Sequence, residues 1–382
     1  MKETQSTIAE KSIALHKKYK GKFAIASKVP VKNMRDLSLL YTPGVGAISS
    51  YLALHKDQTY KYTMKRNSIA VVSDGSAVLG LGNIGPEGAL PVMEGKCVIF
   101  KKFANIDAIP IVLATQNIEK IVSAVKAIAP TFGGINLEDI SAPRCFEIES
   151  RLKNELKIPV LHDDQHGTAI VVLAGLLNAL KIVRKNISKV KIVISGAGAA
   201  GTALTKLLIL TGAKQIVVCD RKGIINTKRP NLSKEKILLA KITNKHNKEG
   251  NLHDALKEAD VFIGVSASNL LTINSIKSMA KNSIVFALAN PNPEIMSELA
   301  KKGGARIIAT GRSDYLNQLN NALVFPGVFR GALDNQVSQI TDTMKLRAAH
   351  AIAGLISNPT ATKIVPNIFD KRIVRAVAKV IK

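Results

Sequence analysis

"VKIVISGAGAAGTALTKLLILTGAKQIVVCD", residues 190–220, decides the fold class. A continuous β-branched run, VKIVIS, leads into glycines 196, 198 and 201 in the spacing G-x-G-x-x-G. A proline-free apolar helix follows, then a second strand, QIVVCD, ending on Asp220. Such a turn brings backbone N–H groups and a helix N-terminus close to a phosphate. The unit predicts a doubly wound parallel sheet of Rossmann type, with Gly196, Gly198, Ala199 and Gly201 against a dinucleotide pyrophosphate. Asp220 can accept hydrogen bonds from the adenosine ribose and would repel a 2′-phosphate, which favours NAD⁺. Arg221 and Lys222 follow it and could neutralise that phosphate, so NADP⁺ stays open.

The same glycine spacing occurs earlier, at Gly80, Gly82 and Gly85 in "VLGLGNIGPEGALPVMEGK", residues 78–96. Its context is different. Pro86, Gly88 and Pro91 stand where a dinucleotide fold needs its first helix, and an interior proline costs a helix ~3 kcal/mol. No strand ending in an acid follows at the right distance. This segment therefore reads as a shaped loop that delivers Lys96 to a site.

Working outward, short β-branched runs alternate with helical segments. SIAVVSD, AIPIVLAT, GGINLED and IPVLHDD read as strands before residue 165; VFIGVSA, SIVFALAN and ARIIATG do so after residue 220. Helices are expected at 117–130 and 143–156, from Thr168 onward, and near 235–258, 272–281 and 293–302. Alternation of this kind means parallel sheets covered on both faces. The expected division is an α/β substrate and metal domain at 1–164 and a Rossmann-type cofactor domain at 165–382. Helices after Arg330 should pack back over one half.

Composition narrows the class. Apolar residues make up 46% of the 382 positions and charged residues 21%, which describes a folded chain rather than a disordered one. No apolar run reaches membrane-spanning length without a charge or a breaker. The opening segment MKETQSTIAEKSIALHKKYKGK reads as an amphipathic helix, unlike a secretory or transit leader, and the expected location is the cytoplasm. Cys97, Cys145 and Cys219 are scattered, which argues against disulfides and a zinc site. A net charge of +26 brings nucleic acid into question, and with it a basic binding protein on a retired dehydrogenase scaffold. Yet the basic residues are spread along the whole chain and aromatic residues are only 4%, so base-stacking surfaces are thin.

Two acidic clusters stand at predicted strand ends: Glu138 and Asp139 in NLEDI, and Asp163 and Asp164 in VLHDDQHG. Ligands collect beyond the carboxyl ends of such strands. Neighbouring strands lie about 5 Å apart, so both clusters can converge on one point. Convergent carboxylates repel one another unless a cation intervenes, and oxygen-only ligation suggests Mg²⁺ or Mn²⁺. His162 and His166 flank the second cluster and leave a zinc or iron site as the alternative.

The motifs YTPGVG (41–46), VSDGSAVLGLGNIGPEGALPVMEGK, INLEDI, VLHDDQHGTA, VISGAGAAG, ALANPNP and NNALVFPGVFRGALD resemble the malic enzyme family, above all its short bacterial and archaeal form. The resemblance runs in order along nearly the whole chain. It implies oxidative decarboxylation of (S)-malate to pyruvate and CO₂ with NAD(P)⁺ and Mg²⁺ or Mn²⁺, in a homodimer or larger assembly. Position by position it implies Glu138, Asp139 and Asp164 as metal ligands, Lys96 as general base, Tyr41 as general acid and Asp163 as an assisting carboxylate; a nearby cation and partial desolvation would lower the pKa of Lys96. Asn290 and Asn321 resemble the asparagines that contact the substrate carboxylate and its surroundings. Longer members carry an arginine just after the DG turn; here Ser76 and Ala77 stand instead, leaving the holder of the remote carboxylate open. A malolactic or oxaloacetate-decarboxylating enzyme is the alternative on the same scaffold.

Overall fold

Two parallel sheets organise the chain in a computed structural model that describes residues 7–382. The first sheet holds β1 (Ser68–Ser73), β2 (Asp107–Val112), β3 (Gly134–Leu137) and β4 (Val160–His162), in the spatial order β2-β1-β3-β4. The second holds β5 (Lys191–Ser195), β6 (Gln215–Asp220), β7 (Gly223–Ile224), β8 (Val261–Gly264), β9 (Ile284–Ala287) and β10 (Ile307–Thr310). Its order is β10-β9-β8-β5-β6-β7, with only β7 antiparallel. Every residue of β1 is buried, as expected of a strand covered by helices on both faces. The glycine turn at 196–201 joins β5 to the helix Ala199–Leu210, and β6 ends on Asp220.

One continuous apolar core joins the two sheets. It includes Ile69 and Phe100 from the first half, Ile170 and Leu173 from the helix Asp163–Val183, and Ile192 and Phe286 from the second sheet. Asn178, buried within that helix, donates to the carbonyls of Ala353 (3.0 Å) and Ile364 (2.9 Å), tying it to the C-terminal segments. Those segments cover both halves rather than one. Phe325 and Phe329, on the helix Phe325–Asp334, set their rings 4.6 and 5.6 Å from that of Phe100. The helix Asp342–Gly354 packs on Asp163–Val183.

Three sequence expectations are corrected. The segment after Gly85 is not a loop but the helix Gly85–Ala104. Pro86 falls in its first turn, where no N–H is needed, and Pro91 is tolerated one turn further in. The long helix begins at Asp163 rather than Thr168, so both aspartates sit in its first turn. The helical region near 235–258 is two helices, Lys234–Thr243 and Leu252–Leu256.

The N-terminal segment stands apart. Residues 1–6 of the expected opening helix lie outside the described residues. Ile8–Tyr19 is helical, capped reciprocally by Thr7 and Glu10. Neither it nor Met34–Leu40 nor Val45–Leu54 buries a single residue within the chain. By length and composition alone, Met34–Leu54 and Asp163–Val183 could cross a membrane. The second is the central helix of the core; the first is broken at Tyr41 and carries Arg35 and Asp36.

Phe100 should be a keystone between the halves. Phe100→Ala removes a fully buried ring that meets two others, and should destabilise the fold by about 3–5 kcal/mol, read as a lowered midpoint in urea denaturation.

Candidate active site

Adjacency of β3 and β4 places the acidic residues. Leu137 and His162 are partners in the ladder, so the residues that follow each of them leave the sheet side by side. Glu138 and Asp139 come from the first exit, Asp163 and Asp164 from the second. Oxygen atoms of Glu138, Asp139 and Asp164 all lie within 4.8 Å of one another. Asp139 adopts a left-handed backbone conformation (φ +54°), which lets its N–H donate to Asp164 Oδ2 at 2.7 Å. Its own Oδ2 is buried without a partner.

Lys96 reaches this cluster from the helix Gly85–Ala104. Its ammonium lies 2.7 Å from Asp163 Oδ2 and 2.8 Å from Glu138 Oε1, and 4.2 Å from the centre of the Phe325 ring. Burial opposes its charge, but the two carboxylates outweigh burial and hold the ammonium above its ordinary range. The lowering expected for Lys96 is tied to a neighbouring cation; facing the two carboxylates alone, its ammonium is held high instead. Glu138 is pushed well above the usual carboxylate range by burial and by its acidic neighbours, in spite of Lys96. Burial and Asp164 push Asp139 up to about 7. Asp164 alone is held low, because His162 beside it outweighs burial.

These observations test whether a divalent cation fits. Three carboxylates converge, two of them are driven toward protonation by burial and by Asp164, and one buried oxygen has no partner. A hard cation would relieve all three conditions. The histidines do not join the cluster as ligands. His166 turns to Glu149 (3.0 Å to Oε2), and His162 Nε2 sits 3.2 Å behind Asp164 Oδ2. Glu149 also accepts from the His162 N–H, from Gln165 and from Lys153. Spacing along the chain gave no hint of this buried support.

The acid cluster forms one wall of a cleft of about 500 Å³ between the two sheets. Gly198, Ala199, Asn290 and Asn321 line the same cleft. At Gly201 a Cβ would run into the Gly196 carbonyl, and Gly196 itself takes φ +120°. Gly198 has open space where a Cβ would be, as a phosphate-facing turn requires. Glu294, fully buried, accepts from the N–H groups of Ser266 and Ala289 and so fixes the loop that carries Asn290. Gly80, from the first glycine triplet, presses against the Asn290 carbonyl, so that triplet closes the cleft instead of holding a phosphate. Ser76 is occupied structurally: its hydroxyl bonds to Asp74 and accepts the Ser141 N–H, and Arg144 pairs with Asp74.

Two site candidates lie elsewhere. Tyr41 is 67% exposed at the break between two N-terminal helices and does not line the cleft. Asp220 offers no free carboxylate: Arg229 spans both oxygens (2.9 and 3.0 Å), and Lys236 donates at 2.7 Å. Neither Arg229 nor Lys236 was foreseen, since both approach from beyond the next turn.

A cleft between parallel sheets, lined by a glycine turn and by a carboxylate–lysine cluster, defines a dinucleotide-dependent enzyme. Residues 20–153 match the malic enzyme N-terminal domain, and residues 165–381 the malic enzyme NAD binding domain. A bifunctional malic/malolactic enzyme of Bacillus subtilis is 54% identical over 98% of this chain and 92% of its own length. An NADP-dependent malic enzyme of Halomonas elongata is 47% identical over 92% of this chain and 83% of its own. The structure of an NAD-dependent malic enzyme from Thermotoga maritima superposes with a TM-score of 0.94 at 50% identity, covering 97% of this chain and 98% of that one. The chain belongs to the malic enzyme family.

Titration of the acids should control cation binding. A carboxyl raised to about 7 is protonated below that pH and must release its proton to a ligand. Mn²⁺ affinity should fall by about tenfold or more per pH unit below about 7 and level off above it. Calorimetric or EPR titration of Mn²⁺ across that range checks the sign; affinity independent of pH would contradict the assignment.

Proposed function

We propose that this chain oxidatively decarboxylates (S)-malate to pyruvate and CO₂ with NAD(P)⁺ and Mg²⁺ or Mn²⁺. The observation that carries the reading is the convergence of Glu138, Asp139 and Asp164 beside Lys96, across one cleft from the Gly198–Ala199 turn. Residues 1–164 would supply the substrate and metal half, and 165–382 the cofactor half. When bound, the divalent ion would supply Lewis acidity toward the C2 oxygen and the nicotinamide a hydride acceptor.

The chain's own groups move the protons. Lys96 begins as an ammonium and must shed a proton before it can accept one from the C2 hydroxyl. Asp163, hydrogen-bonded to it at 2.7 Å and raised by burial, is the acceptor within reach. The Lys96–Asp163 pair then holds the substrate proton through loss of CO₂. Asn290 and Asn321, in the cleft wall, orient the substrate carboxylate and its surroundings. Protonation of C3 falls to Tyr41.

Tyr41 can do so only from another copy of the chain. It sits in a segment with no buried residue, among exposed Met34, Leu37, Leu39, Leu40, Val45 and Ile48. An apolar surface of that extent marks an interface. A homodimer that buries it and carries Tyr41 to the partner's Lys96 explains both the exposure and the incomplete cleft. The three buried, unpaired cysteines agree with a reducing cytoplasm.

Both cofactors are accepted on this reading. With Asp220 neutralised by Arg229 and Lys236, and Arg221 and Lys222 adjacent, no free carboxylate repels a 2′-phosphate. Relatives of each dependence are similar to this chain. A nucleic-acid role on a retired scaffold would predict an eroded site, whereas the acid–lysine cluster is intact.

Malate-dependent appearance of reduced nicotinamide, with pyruvate as product, should be abolished by EDTA and restored by Mn²⁺, in assays with NAD⁺ and NADP⁺ in parallel. Lactate without released reduced cofactor would instead establish malolactic chemistry. Lys96→Ala and Tyr41→Phe should each lower kcat by about 10²-fold or more. Mixing the two inactive variants should restore activity through sites that draw Lys96 from one chain and Tyr41 from the other. No recovery after dissociation and reassociation would reject the shared site, as would a monomer inserted in lipid.

A further inference from the structure

A second cavity, of about 290 Å³, lies outside the cleft, among the helices Arg144–Glu155, Asp163–Val183, Ala199–Leu210 and Asp342–Gly354. It therefore spans the seam between the two halves. Its charges are unequal: Lys153, Lys206 and Lys345 face Glu149 and Asp342. Glu149 is matched by Lys153 at 2.8 Å, and Asp342 by Lys345 at 2.8 Å. Lys206 has no carboxylate within ion-pair distance among the described residues. Lys345 is only 5% exposed, while the carboxylate that pairs with it points largely to solvent, so its charge is under-compensated.

A separate observation concerns a hydroxyl. Thr202 lines the same cavity at 2% exposure, and its Oγ1 is buried with no hydrogen-bond partner. A helical threonine ordinarily donates to the carbonyl four residues back. Thr205, one turn on, does so to Gly201 at 2.7 Å. Thr202 forgoes that bond, and an unsatisfied buried hydroxyl costs about 1–3 kcal/mol. Phe146 and Leu207 add apolar walls.

We propose that this cavity is a second small-molecule site for an organic monoanion with a short apolar body. Its carboxylate is received by Lys206, Lys345 and the Thr202 hydroxyl, and its apolar part lies against Phe146 and Leu207. An occupant bridges the halves, because Phe146 and Lys153 belong to the first sheet's helices and Thr202 and Lys206 to the helix that begins at the cofactor turn. It also touches the support of the metal cluster. Lys153 pairs with Glu149, which holds the backbone of His162, and His162 stands behind Asp164. Anion and cation should therefore alter each other's affinity by the same factor. That coupling rests on the metal assignment; the site itself does not.

Benzoate is a suitable probe, titrated calorimetrically into the whole protein. Saturable binding of one benzoate per chain in the millimolar range or tighter is expected. Lys206→Glu, at an exposed position, should weaken it by about tenfold or more, and Thr202→Val, which keeps the shape, by severalfold. Thermal melting should show both variants folded. Absence of saturable binding, or an affinity that both substitutions leave unchanged, overturns the proposal. The readout is heat of binding rather than turnover, so failure here and failure of the malate reaction are distinct results.

Discussion

Repulsion among buried carboxylates is the constraint around which the rest is arranged. Glu138, Asp139 and Asp164 are brought together by strand adjacency, in surroundings that disfavour the charges of the first two. Lys96 meets Glu138 and Asp163, and His162 stands beside Asp164, but Asp139 is left with an orphan oxygen. The cluster is thus under-neutralised, and that imbalance is the one a divalent ion would relieve on the proposed reading. The same acids hold the Lys96 ammonium above its ordinary range in spite of burial.

Rigidity at this point comes from the helix Asp163–Val183. Its first turn carries two of the acids, and its body is the central element of the core shared by both sheets. A helix so anchored cannot let Asp164 drift from Asp139 without disturbing packing that reaches Phe286 on one side and Phe100 on the other. Gly167 shows how tight the entry is: a Cβ there would collide with Asp163 and press on Asn321. Acid cluster, cleft wall and core are mechanically one unit.

Placements that follow from local backbone chemistry are legible in the sequence. The later glycine turn was one, because G-x-G-x-x-G between a β-branched run and a proline-free helix leaves few alternatives. The acid pairs were another, since strand ends in parallel sheets collect ligands. Pro91 misled, because propensity penalises an interior proline while packing of Met93, Cys97 and Phe100 on one face outweighs it. Thr168 was read as the helix start because apolar periodicity begins there, whereas the polar first turn, DDQHG, carries no such signal. Asp220 was assigned by position, but its partners Arg229 and Lys236 arrive through tertiary folding that no short motif encodes. Tyr41 lies in an exposed apolar segment, and a sequence does not display what covers such a surface.

Asp163 and Asp164 show why adjacency in sequence is a poor guide to role. Consecutive residues in a helix point about 100° apart. That turn sends Asp163 to Lys96 and Asp164 to the acid cluster. Their surroundings then separate them further: burial raises Asp163, while His162 brings Asp164 low. Both sit at the positive end of the same helix, so its dipole cannot be what distinguishes them. A pair of carboxyls driven apart in this way suits the division of labour proposed above, one kept ionised and one able to take a proton from its lysine. Glu149 sustains the division from behind by fixing the His162 backbone and binding Gln165. Exchanging the two roles would need a rotation of the helix that the core does not permit.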